Sequence, residues 1–136
     1  MKLSTISLIC LLSALSTNSA YSQTSLLSKI FSNNEKANII KCKSDISTIG
    51  SSLELFKLDN FTYPTTKEGL QALVTNPAPQ KYENWSQLLE KIPQDPWGTE
   101  YKLINPGVHD EIDIVPYGPD GKQATDDDIG SWQIDH

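Results

Sequence analysis

The sequence predicts an α+β fold in which one long amphipathic helix packs on a small antiparallel sheet. Three observations lead to this prediction: a proline-free stretch over residues 35–58 with helical periodicity, two short stretches rich in Ile, Val and Tyr at residues 101–104 and 111–115, and abundant turn residues elsewhere. A chain of 136 residues with 38% hydrophobic content can bury one modest core. We therefore expect one globular domain over residues 35–136.

The first 22 residues are typical of a secretory signal peptide. Lys2 is followed by an apolar run, and small residues then permit cleavage after Ala20 or Ser22. We favour cleavage before Gln23, with residues 23–34 forming a linker or a short frayed helix. An uncleaved membrane anchor is the alternative, but about 13 apolar-rich residues diluted by serines are short for a bilayer that needs roughly 20.

The charge balance argues against nucleic acid as a partner. Without Lys2 the chain keeps 10 lysines and no arginine against 17 acidic residues, so its formal charge falls from −6 to −7. The absence of arginine also argues against a phosphorylated small-molecule substrate, because arginine is the residue best suited to bidentate phosphate recognition. Cleavage would remove Cys10 and leave Cys42 alone, which excludes an internal disulfide in the mature protein.

The long helix is predicted from apolar residues at steps of three and four. This stripe consists of Ile39, Cys42, Ile46, Ile49, Leu53 and Phe56, and the opposite face is polar. We favour packing of the stripe against the protein's own sheet, with Cys42 as a buried small hydrophobe, over pairing with a partner helix.

Shorter elements follow the helix. Thr65 or Thr66 can cap a second short helix that includes Gly69–Val74, and residues 85–92 are expected to add one helical turn. The strands at 101–104 and 111–115 are joined across Asn105, Pro106 and Gly107, which predicts an antiparallel hairpin. In the second strand, Ile112 and Ile114 alternate with charged neighbours. We expect Trp85, Trp97 and Trp132 to anchor the core.

No residue pattern indicates catalysis. His109 and His136 have no cysteine or second histidine at ligand spacing, and no serine lies in a recognisable nucleophile frame. We therefore expect a protein that is not an enzyme. An exported enzyme on a borrowed scaffold remains the weaker alternative.

Acidic residues crowd the C-terminus, where eight of the 17 fall within the last 27 residues. Such crowding costs electrostatic repulsion, which a cation among the carboxylates would relieve. Calcium fits this chemistry because it accepts six to eight oxygen ligands in a flexible geometry, whereas magnesium prefers a rigid octahedron. Gly118 and Gly121 would let the backbone turn its carbonyl groups inward. On composition alone, a solvated acidic turn is favoured over a metal site.

Three segments together resemble the major pseudopilin of the type II secretion system. The first is residues 57–74, which includes Lys57, Asp59, Tyr63, Pro64, Thr65, Thr66, Glu68, Gly69 and Leu70. The second contains Pro93, Asp95, Pro96, Trp97, Gly98 and Tyr101, and the third Gly118, Asp120, Gly121, Asp126, Asp128, Ile129, Gly130 and Trp132. The resemblance covers about 100 residues in the order of the family.

The resemblance implies a pilin-like fold and a periplasmic role in protein secretion, through protein partners of the secretion apparatus or its cargo. It also implies a calcium site formed by Asp120, Asp126 and Asp128, with Asp127 as a further candidate and the carbonyl of Tyr117 as a backbone ligand. The N-terminus departs from the family, since the basic leader and the unbroken apolar helix of a pseudopilin are replaced here by the signal-like segment. This departure puts assembly into a pseudopilus by the usual helix packing in doubt. A membrane-anchored, noncanonical pseudopilus subunit is the alternative.

Overall fold

A computed structural model of the chain describes the backbone of residues 3–118 and 129–134, and the side chains of residues 23–118 and 129–134. Over these residues the elements are helix α1 (Leu3–Asn60), a 3-10 helix (Leu70–Leu73), strand β1 (Lys102–Ile104), strand β2 (Asp113–Val115) and a second 3-10 helix (Ser131–Gln133). This order confirms the predicted α+β class, with one long helix and a small antiparallel sheet.

Helix α1 begins at Leu3, well before the predicted start at Glu35. No glycine or proline precedes Gly50, so nothing in the sequence interrupts the helical backbone through residues 23–34. The chain divides into two compact units, Met1–Ala37 and Asn38–His136. Within the described residues, no helix has a stretch apolar enough to cross a membrane. The signal peptide over residues 1–22 stays a prediction.

The apolar stripe of α1 forms one side of the core in the second unit. Cys42, Ile46, Ile49, Leu53 and Phe56 are buried as predicted. Ile39 is 39% exposed, so its predicted place in the core was wrong. Ile39 lies one turn before Cys42, near the first residue of this compact unit, where burial of the helix face begins.

The end of α1 is closed by its own backbone. Phe61 adopts a φ of 63° and its N–H donates to the carbonyl of Lys57 at 2.7 Å, which is the left-handed arrangement that ends many helices. The side chain of Asn60 donates to the carbonyl of Phe56 at 3.1 Å. These bonds satisfy carbonyl groups that the last helical turn leaves without an intrahelical donor.

The segment after α1 contains one of the two predicted short helices. The helix is a single 3-10 turn at Leu70–Leu73, and its N-cap is Gly69, which makes no side-chain cap hydrogen bond, so the predicted capping by Thr65 or Thr66 was wrong. Thr65 instead closes the preceding turn with Glu68: the Glu68 N–H donates to Thr65 Oγ1 at 3.2 Å and the Thr65 N–H donates to Glu68 Oε2 at 2.7 Å.

The helical turn predicted for residues 85–92 is wrong, because this segment is irregular. The N–H groups of Leu88 and Leu89 both donate to the carbonyl of Leu73, at 2.9 and 3.0 Å, and are therefore not available for a local helix. Trp85 packs against the core, and its Nε1 donates to the carbonyl of Ala72 at 2.6 Å.

Trp97 does not anchor the core, contrary to prediction, since it is 40% exposed. It lies in a turn organised by buried Asp95, whose Oδ1 accepts from the N–H groups of Trp97 at 3.0 Å and Thr99 at 2.8 Å. Gly98 has a φ of 85° in the same turn. The turn holds the backbone of Trp97 through hydrogen bonds while its indole ring faces partly toward solvent.

The two strands confirm the predicted antiparallel hairpin. The register pairs Lys102 with Val115, Leu103 with Ile114, and Ile104 with Asp113. The loop between the strands contains a cis peptide bond at Asn105–Pro106. The core gathers residues from α1, the 3-10 helix, the irregular segment and the sheet: Ile46, Ile49, Leu53, Phe56, Tyr63, Leu70, Ala72, Leu73, Tyr82, Tyr101, Leu103 and Ile114.

Candidate metal-binding loop after strand β2

The acidic loop leaves the sheet directly from β2. Val115 and Pro116 are buried, Tyr117 is half-buried, and Gly118 turns the chain with a φ of 61°. A side chain at that φ would be strained, so glycine suits this position. The Nζ of Lys102 lies 5.7 Å from the centre of the Tyr117 ring. The first candidate ligand, the carbonyl oxygen of Tyr117, therefore belongs to a half-buried residue that directly follows the buried end of β2.

The chain returns from the loop to the same strand. The N–H of Ile114 donates to Ser131 Oγ at 3.0 Å. The indole ring of Trp132 stacks on the imidazole of His109, with ring centres 3.7 Å apart and planes 14° from parallel. Both ends of the loop are thus fixed to β2 or to the turn that precedes it.

Asp113 organises that turn. It is 1% exposed, and its Oδ2 accepts from the N–H groups of Val108 at 2.7 Å and His109 at 3.1 Å, while its Oδ1 accepts from the N–H of Asp110 at 3.2 Å. Burial alone would raise the pKa of Asp113, but these backbone donors and the His109 ring outweigh it and hold the pKa below its ordinary value.

In the sequence, Ile112 and Ile114 alternate with charged residues, a pattern typical of a strand with one buried and one exposed face. The structure differs, because Asp113, Ile114 and Val115 of β2 are all buried. The carboxylate of Asp113 remains ionised inside the protein because the turn before β2 supplies it with the N–H donors of Val108 and His109. Sequence reasoning missed Asp113, His109 and Ser131 as the residues that anchor the loop. The one signal in the sequence was a charged residue between two isoleucines in a strand.

Among the C-terminal acidic residues that the structure describes, electrostatic repulsion is reduced without a cation. Glu111 pairs with Lys57 at 2.7 Å, and Asp113 is bound by backbone donors. Asp110 is exposed to water, which screens its charge. The crowding argument for a cation therefore applies to the later aspartates and not to these three acids.

Of the predicted metal ligands, the structure describes Tyr117. Asp120, Asp126, Asp127 and Asp128 lie outside the described residues. Within residues 23–118 and 129–134, no group of three or more His, Cys, Asp or Glu side chains is placed to hold a metal ion. The carbonyl of Tyr117 is the kind of hard oxygen that calcium accepts, and the turn at Gly118 suits the entrance to such a loop.

Comparison with known proteins identifies the family. The family model for type II secretion system protein G matches residues 29–132. The type II secretion system core protein G of Dickeya chrysanthemi is 49% identical over 108 residues, which is 77% of this chain and 71% of that protein. This chain belongs to the type II secretion system protein G family.

Other members of the protein G family agree with this assignment. The core protein G of Escherichia coli K12 is 42% identical over 108 residues, covering 77% of this chain and 74% of its own length. The crystal structure of the major pseudopilin from the type 2 secretion system of enterohaemorrhagic Escherichia coli has a TM-score of 0.71 and 45% identity, and the match covers 76% of this chain and 94% of that one. The predicted resemblance and the pilin-like fold are both confirmed. The protein is a type II secretion pseudopilin, a component of the secretion apparatus.

Proposed function

We propose that this pseudopilin is a non-catalytic protein whose C-terminal loop is stabilised by calcium, and that it contacts the secretion apparatus or its cargo. The observation that carries the proposal is the anchoring of the loop at both ends. Its entrance continues β2 through Tyr117 and Gly118, and its exit is bonded to β2 through Ser131. Fixed ends reduce the conformational entropy that a loop loses when its oxygen ligands gather around one ion.

The proposed ligands are the carbonyl of Tyr117 and carboxylates from Asp120, Asp126, Asp127 and Asp128. Asp113 and Glu111 are unsuitable because their oxygens already accept from backbone N–H groups and from Lys57. Bound calcium would neutralise the repulsion among the later aspartates and stabilise the folded loop. Calcium is favoured over magnesium because consecutive aspartates and a backbone carbonyl suit a large, flexible coordination sphere.

Thermal unfolding tests the calcium proposal. The full chain, purified without added metal, is melted with calcium, with magnesium and with chelator. At a calcium concentration about 100 times the dissociation constant, binding contributes about 2.7 kcal/mol, which raises the melting temperature by several degrees. Magnesium should raise it much less.

Variants of the loop locate the effect. Asp120→Ala and Asp128→Ala should abolish the calcium-dependent rise, whereas the control Asp110→Ala should keep it because Asp110 is exposed and lies before β2. If calcium did not change the melting temperature of the unaltered protein, the calcium site would be ruled out. The acidic loop would then be a solvated turn.

We further propose that the protein acts in the periplasm or after secretion, following cleavage of residues 1–22. The support is the signal-like N-terminus, with small residues at the cleavage positions before Gln23. Intact mass of the protein recovered from cells tests this directly. A mass that corresponds to residues 23–136 supports export and cleavage, whereas a mass that retains residues 1–22 favours the membrane-anchored subunit.

A further inference from the structure

A small groove runs along the free edge of strand β1. Its volume is about 320 Å³, and it lies between β1 and the segment from Thr66 to Gln71. Ile92 and Tyr117 also line it. The sheet has two strands in the part of the chain that the structure describes, so this side of β1 has no neighbouring strand there. We call this space the edge groove.

The hydrogen bonds of the sheet show which backbone groups face the edge groove. Leu103 lies directly opposite Ile114 in the antiparallel register. The N–H of Ile114 donates to Ser131 Oγ at 3.0 Å and is therefore not directed at β1. Opposite residues of an antiparallel pair exchange both backbone bonds or neither, and the two kinds of pair alternate. The N–H and C=O of Leu103 thus point away from β2, toward the groove that Leu103 lines.

Asn105 gives a second, independent indication of this orientation. It lies two residues after Leu103, so in an extended chain the backbone groups of both residues point to the same side. The N–H of Asn105 donates to Thr66 Oγ1 at 2.8 Å, and the Thr66 hydroxyl donates to the Asn105 carbonyl at 3.0 Å. Thr66 thus supplies both bonds that a neighbouring strand would supply. No residue that the structure describes does the same for Leu103.

The unpaired backbone groups of Leu103 are unusual because the residue is 2% exposed. Buried N–H and C=O groups are nearly always hydrogen-bonded to protein or to ordered water. An extended peptide segment along β1 would give Leu103 one acceptor and one donor, and would add a strand to the sheet. Displacing water from the groove costs little where the segment reproduces the hydrogen bonds of that water.

The charged residues of the edge groove favour an acidic segment. Four of them line it: Lys67, Glu68, Glu100 and Lys102. Glu68 is paired with Lys81 at 3.2 Å, whereas Lys67 and Lys102 have no carboxylate partner among the described residues. Glu100 is exposed and offsets one of these two lysine charges. Lysine on an edge strand also opposes pairing with a neutral or basic strand. The remaining positive charge is complementary to carboxylates.

We infer that the edge groove binds an extended, acidic segment of a partner protein, which pairs antiparallel with β1 and exchanges both backbone hydrogen bonds with Leu103. Directly opposite residues share a face of the sheet, so the residue opposite Leu103 carries an apolar side chain beside Leu70 and Ile92. Its two neighbours carry carboxylates on the face of Lys102. This contact rests on the proposed function, since it specifies how a protein partner is recognised, but it does not depend on calcium.

Nuclear magnetic resonance of the isotopically labelled full chain tests this pairing. The acidic probe is a capped hexapeptide that alternates valine with glutamate, and the basic probe alternates valine with lysine. The acidic probe should move the amide proton of Leu103 downfield and slow its exchange with solvent, because this proton gains a hydrogen bond. The basic probe should leave the resonance unchanged at the same concentration, up to about 2 mM.

N-methylated forms of the acidic probe test the backbone bonds. Methylation of the valine nitrogens removes the donors that face β1, so binding should be lost. Methylation of the glutamate nitrogens, which face away from β1 in the same register, should leave the dissociation constant within about twofold. Equal binding of the two methylated forms would overturn the inference.

Charge reversal tests the choice of an acidic partner. K67E/K102E should weaken binding of the acidic probe at least about tenfold and allow the basic probe to bind instead. Both lysines are exposed, so the melting temperature should not change. K36E/K43E is the matched control, because it reverses two exposed lysines of α1 that do not line the groove, and it should bind the acidic probe as the unaltered protein does.

Three further results would overturn the inference. The first is an acidic probe that leaves the Leu103 amide resonance unchanged at about 2 mM. The second is equal binding of that probe by K67E/K102E and the unaltered protein. The third is a shift of the Leu103 resonance when the labelled chain alone is concentrated, since a second copy would then occupy the groove.

Melting of the same preparations with calcium separates this inference from the calcium proposal. A protein that calcium stabilises but that binds no probe would lose the edge contact and retain the metal site. A protein that binds the acidic probe without any response to calcium would retain the edge contact and lose the metal site.

Discussion

The indole ring of Trp132 lies flat against the imidazole of His109, at a centre-to-centre distance of 3.7 Å. This stack joins the segment that follows the acidic loop to the turn that precedes β2. Next to it, Gly130 approaches so closely that a Cβ would come within 2.1 Å of the Trp132 ring. The absence of a side chain at residue 130 is therefore a condition for the stack.

Gly130→Ala should displace Trp132 from His109 and destabilise the protein by about 1–3 kcal/mol, because the clash forces a shift and the aromatic contact is lost. Tryptophan fluorescence and urea unfolding report the two effects. Gly50→Ala is the matched control, since its Cβ meets Ile114 at 3.8 Å, an ordinary contact, and alanine favours the helix. Equal stability of the two variants would contradict the role assigned to Gly130.

Asp113→Asn should destabilise the protein by about 2–3 kcal/mol, because an amide cannot accept from all the N–H groups that the buried carboxylate now satisfies. Asp110→Asn provides a control that removes the same charge from an exposed side chain, and it should change the unfolding free energy by less than about 0.5 kcal/mol. Chemical denaturation of both variants measures the difference. A cost for Asp110→Asn as large as that for Asp113→Asn would point to net charge as the cause.

Glu68 should make stability depend on pH. Burial opposes its ionisation, but donors from Thr65, Tyr82 and Lys81 prevail and lower its pKa from 4.5 to about 2. Because the folded-state pKa is depressed, the stabilisation is complete above the unfolded pKa of about 4.5 and is lost as the pH falls through about 2. Glu68→Gln should therefore cost about 1.5–3 kcal/mol at pH 7 and almost nothing near pH 2.

Unfolding by urea between pH 2 and pH 7 measures this difference. Glu83→Gln is the control, because Glu83 is exposed and lies in the same region of the chain. If the Glu68→Gln deficit persisted unchanged at pH 2, its cause would be packing and not the charge.

Leu53→Ala should destabilise the protein by about 2–5 kcal/mol, since Leu53 is fully buried and its loss opens a cavity in the core. Leu58 lies on the same helix and is 71% exposed, so Leu58→Ala should cost less than about 0.5 kcal/mol. Thermal unfolding of both variants gives the comparison. Similar losses for the two would mean that Leu58 is covered in solution, for example by a second copy.

The long helix and the hairpin could be predicted because their signals are local. Periodic apolar residues without proline define the buried stripe of α1 from Cys42 to Phe56, and Asn105 to Gly107 supply a turn between two apolar strands. Prediction failed for residues 85–92, where the N–H groups of Leu88 and Leu89 bond to Leu73. Such a contact between distant residues leaves no trace in local periodicity.

For the candidate metal site, the sequence identified the type of ligand and its place in the chain. It did not identify the residues that hold the ends of the acidic loop. Tyr117 and the turn at Gly118 were recognisable from the resemblance to the family. The roles of His109 and Ser131 were not, because both depend on the return of the chain to β2 after the loop.

By itself, the sequence determined the family, the α+β class and the acidic character of the C-terminus, since each depends on residue types in a recognisable order. Only the tertiary structure decided which charges are solvated and which are internal. Asp110, Glu111 and Asp113 look alike in the sequence, yet one is exposed, one pairs with Lys57 and one is buried among backbone N–H groups. The physical reason is that a carboxylate is stable in the interior only where folding supplies donors to replace its lost water.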